Sequence, residues 1–369
     1  MGSMMYLGEA MQSGMAPAPS PKPGHGPGED MAMLRAAAKL NKELGRHNRL
    51  LYWTDCFGSA ALGYGALALT ILAKPLWLAL AAAVVAMLAL YRATLFIHEI
   101  SHMKPGAVPG FRTAWNALIG VPMMVPSFMY EGVHTLHHQR QRYGTVEDPE
   151  YLPLSHMGPG TLAVFMLTAL LAPLGFLIRL VILNPLSLVI PGLRRVVRER
   201  LSALAINPQF VRATPDAAYG RFWRRWDVAA SLFAIILLGL VIAGIVPLRA
   251  YAIYLGVIAG AMVINQIRTL VAHLWDNEGE EMSLTAQYLD SVNVPPPGLL
   301  PGLWAPVGLR YHALHHLLPG MPYHALGEAH RRLVAALPAG SAYGRASYPD
   351  LMGLIRRLVA SSLRSRARG

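Results

Sequence analysis

Residues 95–103 read LFIHEISHM, and the five in the middle, His98-Glu99-Ile100-Ser101-His102, decide how the rest of the chain is read. On a helix, positions i and i+4 share a face, so both imidazoles project to one side with the carboxylate beside them. H-E-x-x-H is the pattern with which zinc peptidases bind a metal and supply a general base. The same two histidines can equally belong to a larger cluster with different chemistry. Working outward from them separates the two readings.

The 369 residues are 54% hydrophobic and only 14% charged. A soluble domain usually carries about 25% charged residues, so the composition is that of a membrane protein. The net charge of +12 would also suit a nucleic-acid binder. However, aromatic and basic residues are not interleaved as in a single-strand groove. Cys56 is the sole cysteine, which excludes intrachain disulfides, thiolate zinc sites and iron–sulfur clusters. Residues 1–34, rich in Pro, Gly and Ser, are expected to form a disordered tail without a signal-peptide run. Tyr6 stands where the myristoylation pattern needs Ser or Thr.

Apolar segments long enough to span a bilayer, which takes roughly 20 residues, lie at about 50–73, 76–97, 227–247 and 250–272. Lys74-Pro75 and Pro247-Leu248-Arg249 are minimal turns, so the expectation is four transmembrane helices in two hairpins. Basic residues gather before the first span (Arg35, Lys39, Lys42, Arg46, Arg49). They gather again before the third (Arg194, Arg195, Arg198, Arg200, Arg212, Arg221, Arg224, Arg225). The positive-inside rule then places both termini and residues 98–226 in the cytoplasm, most simply at a bacterial inner membrane. Residues 161–190 are apolar too, but Pro173, Gly175 and Asn184-Pro185 interrupt them, so they read as interfacial or re-entrant. The span-bearing domain covers 35–335, and 336–369 form a basic C-terminal tail.

Against this topology the histidines fall on one membrane face. His98 and His102 lie just past the second span, and HTLHH supplies His134, His137 and His138. His273 lies just past the fourth span, and HALHH supplies His312, His315 and His316. In H-x-x-H-H the first ring shares a helix face with either of the others, while the adjacent pair point apart and suit two neighbouring metals. Nine imidazoles exceed what one tetrahedral zinc can use. Neutral imidazole suits iron, zinc or copper, so the ligand set alone does not name the metal. The fold expected is an all-α membrane protein whose cytoplasmic helical cap holds a dimetal site.

The three boxes HEISH, HTLHH and HALHH resemble those of the membrane fatty acid desaturase superfamily, across roughly residues 50–335. HHQRQRYGTVEDPEY after the second box is similar too. So is HHLLPGMPYHALGEAHRRL, with its His-His-x-x-Pro-x-x-Pro-Tyr ending. A His rather than a Gln opens the third box, unlike the front-end variant. The resemblance implies that the eight box histidines bind two irons. His273 would correspond to a further ligand that some members supply. It implies O2 as co-substrate and an external electron donor, a ferredoxin or a cytochrome b5-like protein with its reductase. The reaction expected is formation of a C=C bond in a fatty acyl lipid. The alternative is a lipid or carotenoid hydroxylase or ketolase of the same histidine-box class.

Ligating imidazoles usually donate their second N–H to a polar partner, and the candidates are Glu99, Glu131, Asp148, Asp276 and Asn277. No catalytic side chain is expected beyond the metal site, because no acid or base breaks an unactivated C–H bond and bound metals carry such chemistry. An acidic electron-transfer protein would be drawn to the basic face, which also touches anionic lipid.

Three rival readings are weaker. A peptidase with Asp290 as third ligand leaves seven clustered histidines without a task. Glu99…His102 and Glu131…His134 both read E-x-x-H, as in carboxylate-bridged diiron bundles, but the third box offers no such glutamate. A transporter places ionisable ligands within its spans, where this chain has little besides Asp55, Arg92, Asn265 and Arg268. His25 and His47 read as solvent-exposed, and His156, His324 and His330 as structural.

Overall fold

The computed structural model describes residues 28–366. Apart from isolated bridges such as His273–Ser291 and Asn293–Tyr311, the described residues form no strand, as the all-α expectation requires. Most of the expected disordered tail, 1–27, lies outside the described residues. Its last part is ordered, because Asp30 accepts from the Met33 N–H and starts α1 (Met31–Leu44). Asp30 also binds Ser341 and the Ala342 N–H, tying this N-terminus to the distant C-terminal region.

Two long helices follow, α2 (Arg49–Leu72) and α3 (Leu76–Thr94). Asn48 caps α2 through the Leu51 N–H, and Pro75 precedes α3, fitting a helix start that needs no N–H. The two pack along their length. Gly63 permits the close approach, since a Cβ there would sit 2.6 Å from Leu90 Cγ. The helical run continues through Leu95 into α4 (Phe96–His102), which carries the H-E-x-x-H residues. The second box lies on the short α5 (Val133–His137).

The stretch expected to be interrupted is instead one helical run. It comprises α6 (Pro159–Leu177), a π-helical turn Ile178–Leu183, and Asn184–Ser187. Pro173 sits inside α6 and Pro185 in the first turn of the last piece. Proline removes one backbone bond, which membrane helices tolerate through local readjustment, here just before the π turn. The run is therefore not a re-entrant hairpin. Together with Arg49–Leu72, Leu76–His102, Ala217–Ile242 and Leu248–Leu270, it makes five helices among the described residues that are long and apolar enough to cross a membrane, against four spans expected.

Downstream come α7 (Pro191–Arg200), α8 (Ala217–Ile242) and α9 (Leu248–Leu270). The α9 helix packs against α3 and α6, while α8 packs against the π turn. Four shorter helices complete the box-bearing layer: α10 (Leu284–Asp290), α11 (His312–Leu317), α12 (Tyr323–Ala336) and α13 (Leu351–Arg366). The last of these lies in what reads as a basic tail. It buries Leu354 and Leu358, and Ser362 donates to the Met157 carbonyl, 2.6 Å.

A large core joins α2, α3 and α9 to the segment between α4 and α5, where Phe111 and Trp115 of a short helix (Phe111–Trp115) are fully buried. A smaller one sets Met33, Ala37 and Leu40 of α1 against Ala325, Leu326, Ala329 and Leu333 of α12. Between these cores sit the histidines.

Candidate metal centre

Four elements bring the rings together. The first box lies on α4 with its rings one turn apart. The second lies on α5, with His138 at its C-terminal cap. His273 sits in the turn after α9, held where the Leu274 N–H meets the Asp290 carbonyl, 2.6 Å. The third box is α11, whose first turn is fixed by Asn293 Oδ1 accepting from the Leu314 N–H.

All nine sequence-predicted histidines meet, in two groups. One gathers ring nitrogens of His98, His102, His134, His138 and His315 within 4.8 Å of one another, and the other those of His137, His273 and His316. His312 completes the second group, its Nε2 lying 3.1 Å from His273 Nε2 and 3.2 Å from His316 Nε2. The groups adjoin through stacked rings of His138 and His316, centroids 4.3 Å apart.

Burial, then the charge of neighbouring rings or of Arg268, holds His134, His138, His273, His312, His315 and His316 well below the ordinary imidazole value. These rings are neutral, so each carries one N–H and one lone pair. His138 Nε2 nevertheless faces both His134 Nε2 and His315 Nε2 at 3.1 Å. One proton cannot satisfy two such contacts, and the same holds for His312 Nε2 between His273 and His316. Both nitrogens of His98, His102 Nε2 and His312 Nδ1 are buried and make no hydrogen bond; the nearest carboxylate oxygen to His98 Nδ1, from Glu99, is 3.9 Å away. Nitrogens bound to one cation at about 2.0–2.1 Å lie about 3 Å apart, which is the spacing seen. The donor set therefore fits two metal ions, one among five nitrogens and one among four.

The rings are oriented from behind. His137 Nδ1 meets both oxygens of Asp148, at 3.0 and 2.9 Å. Burial alone would depress His137, but the charge of Asp148, aided by Glu150 and Asp290, raises it above the usual value. His134 Nδ1 meets Glu150 at 3.0 Å and the Tyr130 hydroxyl at 2.9 Å. His273 Nδ1 lies 2.8 Å from the Tyr143 hydroxyl, which donates to Asp290 at 2.8 Å. Burial pushes Glu150 up to about 7 and Asp290 up to about 6.

Of the five expected partners, only Asp148 orients a ring. Glu99 turns away, accepting from Tyr52 and from the Tyr323 N–H at 3.1 Å. Glu131 pairs with Arg112 and Ser127. Asp276 pairs with Arg357, and Asn277 donates to the Gly144 and Glu280 carbonyls. Glu150, Tyr130 and Tyr143 are the residues missed. Glu150 stands in plain view, two residues after Asp148 in EDPEY. His156 and His330 find ordinary partners in the Asp276 carbonyl and Tyr343, and His324 accepts from the Asn48 N–H.

A family model described as fatty acid desaturase matches residues 75–347. The chain belongs to the fatty acid desaturase family. The family assignment sets aside the peptidase, the carboxylate-bridged bundle and the transporter, and makes the protein an integral-membrane oxidoreductase of lipid metabolism. A relative from Caulobacter vibrioides (strain NA1000 / CB15N), described as a ceramide hydroxylase, is 51% identical over 325 residues. The match covers 87% of this chain and 92% of that protein. This corrects the expectation of a desaturase, because the relative hydroxylates. Three histidine boxes specify the metal cradle that desaturases and hydroxylases of this family share. The spacing therefore does not choose between an alkene and an alcohol.

Proposed function

We propose that this protein is an O2-dependent lipid hydroxylase that acts on ceramide or a closely similar amide-linked lipid. The relative's 51% identity across nearly its whole length carries the substrate and outcome, and the nine-imidazole centre supports the chemistry. Two irons held by His98, His102, His134, His138 and His315 on one side, and by His137, His273, His312 and His316 on the other, would supply the oxidising power that no side chain has. The reaction balances as R–H + O2 + 2 electrons + 2 protons → R–OH + H2O. The electrons come from an external one-electron carrier of the ferredoxin or cytochrome b5 class.

The protein's own part is orientation and exclusion of water. Asp148, Glu150 and Tyr143 fix the ring tautomers so that the lone pairs face inward, while the buried rings keep the site dry. We infer that the centre faces the cytoplasm of a bacterial inner membrane. The basic residues before α2 and α8 support that side, and they suit an acidic electron donor.

The test is conversion of long-chain ceramide by iron-loaded protein with a reducing system and isotopically labelled O2, read by mass spectrometry. A product with one labelled oxygen in the lipid is expected. Loss of two hydrogens with no oxygen gained would overturn hydroxylation, and unchanged ceramide would remove the substrate assignment.

A further inference from the structure

A cavity of about 330 Å³ lies between α1, α10 and α11. That is within the usual range of small-molecule sites, about 300–1,000 Å³. One part of its wall is His316, a ring of the four-nitrogen group; Leu34, Ala38, Leu284 and Leu317 make it mostly apolar. No charged side chain lines it. Polar groups enter from Asn41 of α1 and Gln287 of α10. Gln287 is buried, and its amide nitrogen donates to the Arg140 carbonyl at 2.9 Å and the Met282 carbonyl at 3.2 Å. Both donors are thus used, which leaves the amide oxygen as the side-chain group with which Gln287 can bind a ligand.

An uncharged, apolar space that reaches a candidate metal ligand and presents a fixed acceptor suits the part of a neutral lipid near its reacting carbon. Phosphate or a free carboxylate would enter with no charged side chain in the wall to meet it, at a desolvation cost of several kcal/mol. We propose that this cavity seats the amide-bearing segment of the lipid substrate, with Gln287 Oε1 accepting from its N–H and α1 forming the wall that limits its bulk. The site takes an uncharged amide-linked lipid and discriminates against acyl chains carried on an anionic group. This rests on the reading of the protein as a ceramide hydroxylase.

Two variants test it, by turnover and by binding of radiolabelled long-chain ceramide to the metal-free chain in detergent. Ala38 is exposed on α1 outside the helix's buried face, so Ala38→Trp fills the cavity without disturbing that face. Gln287→Leu removes the acceptor. The expected result for Ala38→Trp is ceramide binding weakened at least tenfold, with wild-type metal content. Wild type should favour ceramide over the matching ester, which lacks the N–H, by about tenfold, the size of one buried hydrogen bond. Gln287→Leu should lose that preference while metal content stays.

Binding and turnover within about twofold of wild type in Ala38→Trp would overturn the cavity as substrate site while leaving the hydroxylase reading intact. So would an unchanged amide preference in Gln287→Leu. A decrease in electron-donor-driven metal reduction, with ceramide binding unaltered, would make the cavity a reductant's docking site and overturn the proposal. Wild type that binds ceramide at this cavity yet forms no hydroxylated product would refute the reaction and not the site. Wild type that neither binds nor converts ceramide would overturn both.

Discussion

Asp148 is completely buried and accepts from three donors: His137 Nδ1, which lies within reach of both oxygens, the Gly144 N–H at 2.8 Å and the Glu150 N–H at 2.8 Å. It therefore sets one ring of the centre and the loop that carries Glu150 behind another. Replacing it with Ala frees His137 to rotate and lets either tautomer form. Metal affinity should fall about 10–100-fold, as is usual when the partner behind a ligand is removed, measurable by competition with a chelator. Affinity unchanged within error would mean Asp148 serves the loop alone. Gly144 belongs to the same device. Its φ of 71° lies in the left-handed region, and an added Cβ would lie 2.7 Å from Asn277 Nδ2. Gly144→Ala should destabilise the protein by about 1–3 kcal/mol, read as a lower thermal midpoint in detergent. The eight box rings were legible in the sequence because box spacing is local, and His273 through its place after a span and the family resemblance, while their partners were not. Tyr143 lies 130 positions from His273, and nothing local to a histidine says which carboxylate the fold brings behind it. Glu99 shows the converse error, since adjacency to His98 in sequence turns its side chain to Tyr52 and Tyr323.

At the scale of elements, helix length and apolarity made α2, α3, α8 and α9 readable, while the first turn of α1 and the whole of α13 fell in segments that read as tails. The fifth long helix reads as interrupted in the sequence for a physical reason. Pro173 and Asn184-Pro185 signal breaks in water, where a freed carbonyl prefers solvent, but a membrane offers no solvent and the helix reforms around them. Its anchor is Arg179 in the π turn. This buried guanidinium donates to Asp227 of α8 at 2.8 Å and to the Leu201 carbonyl at 2.6 Å. Asp227 also accepts from Asn184 at 3.0 Å. Asp227→Ala would leave Arg179 buried without a counter-charge, and the expected loss of stability is about 3–5 kcal/mol. Asp227→Asn keeps an acceptor and should lose less. Equal midpoints for the two variants would show that charge plays no part in holding this helix.

On the scale of the whole molecule, the nine imidazoles are where distant parts of the chain meet. Residues from 98 to 316, on α4, α5, the turn after α9 and α11, converge with nitrogens that face one another at 3.1–3.2 Å. Without a cation a single proton satisfies only one contact of each set, and the remaining lone pairs oppose one another; a cation binds all of them at once. Loading should stabilise the folded chain by RT ln(1 + [metal]/Kd), about 4 kcal/mol when metal is a thousandfold above Kd. A higher thermal midpoint for iron-loaded than for chelator-stripped protein is expected. Zinc should raise it as well, because imidazole binds both, yet only iron should consume O2. Two separate centres make a sharper demand. His102→Ala weakens only the five-nitrogen group and His316→Ala only the four-nitrogen group, so each variant should retain about one metal per chain. Each should also keep part of the thermal stabilisation while hydroxylation is lost in both. Complete loss of metal in either variant would mean that the ions bind as one coupled unit, which the stacking of His138 on His316 would then explain.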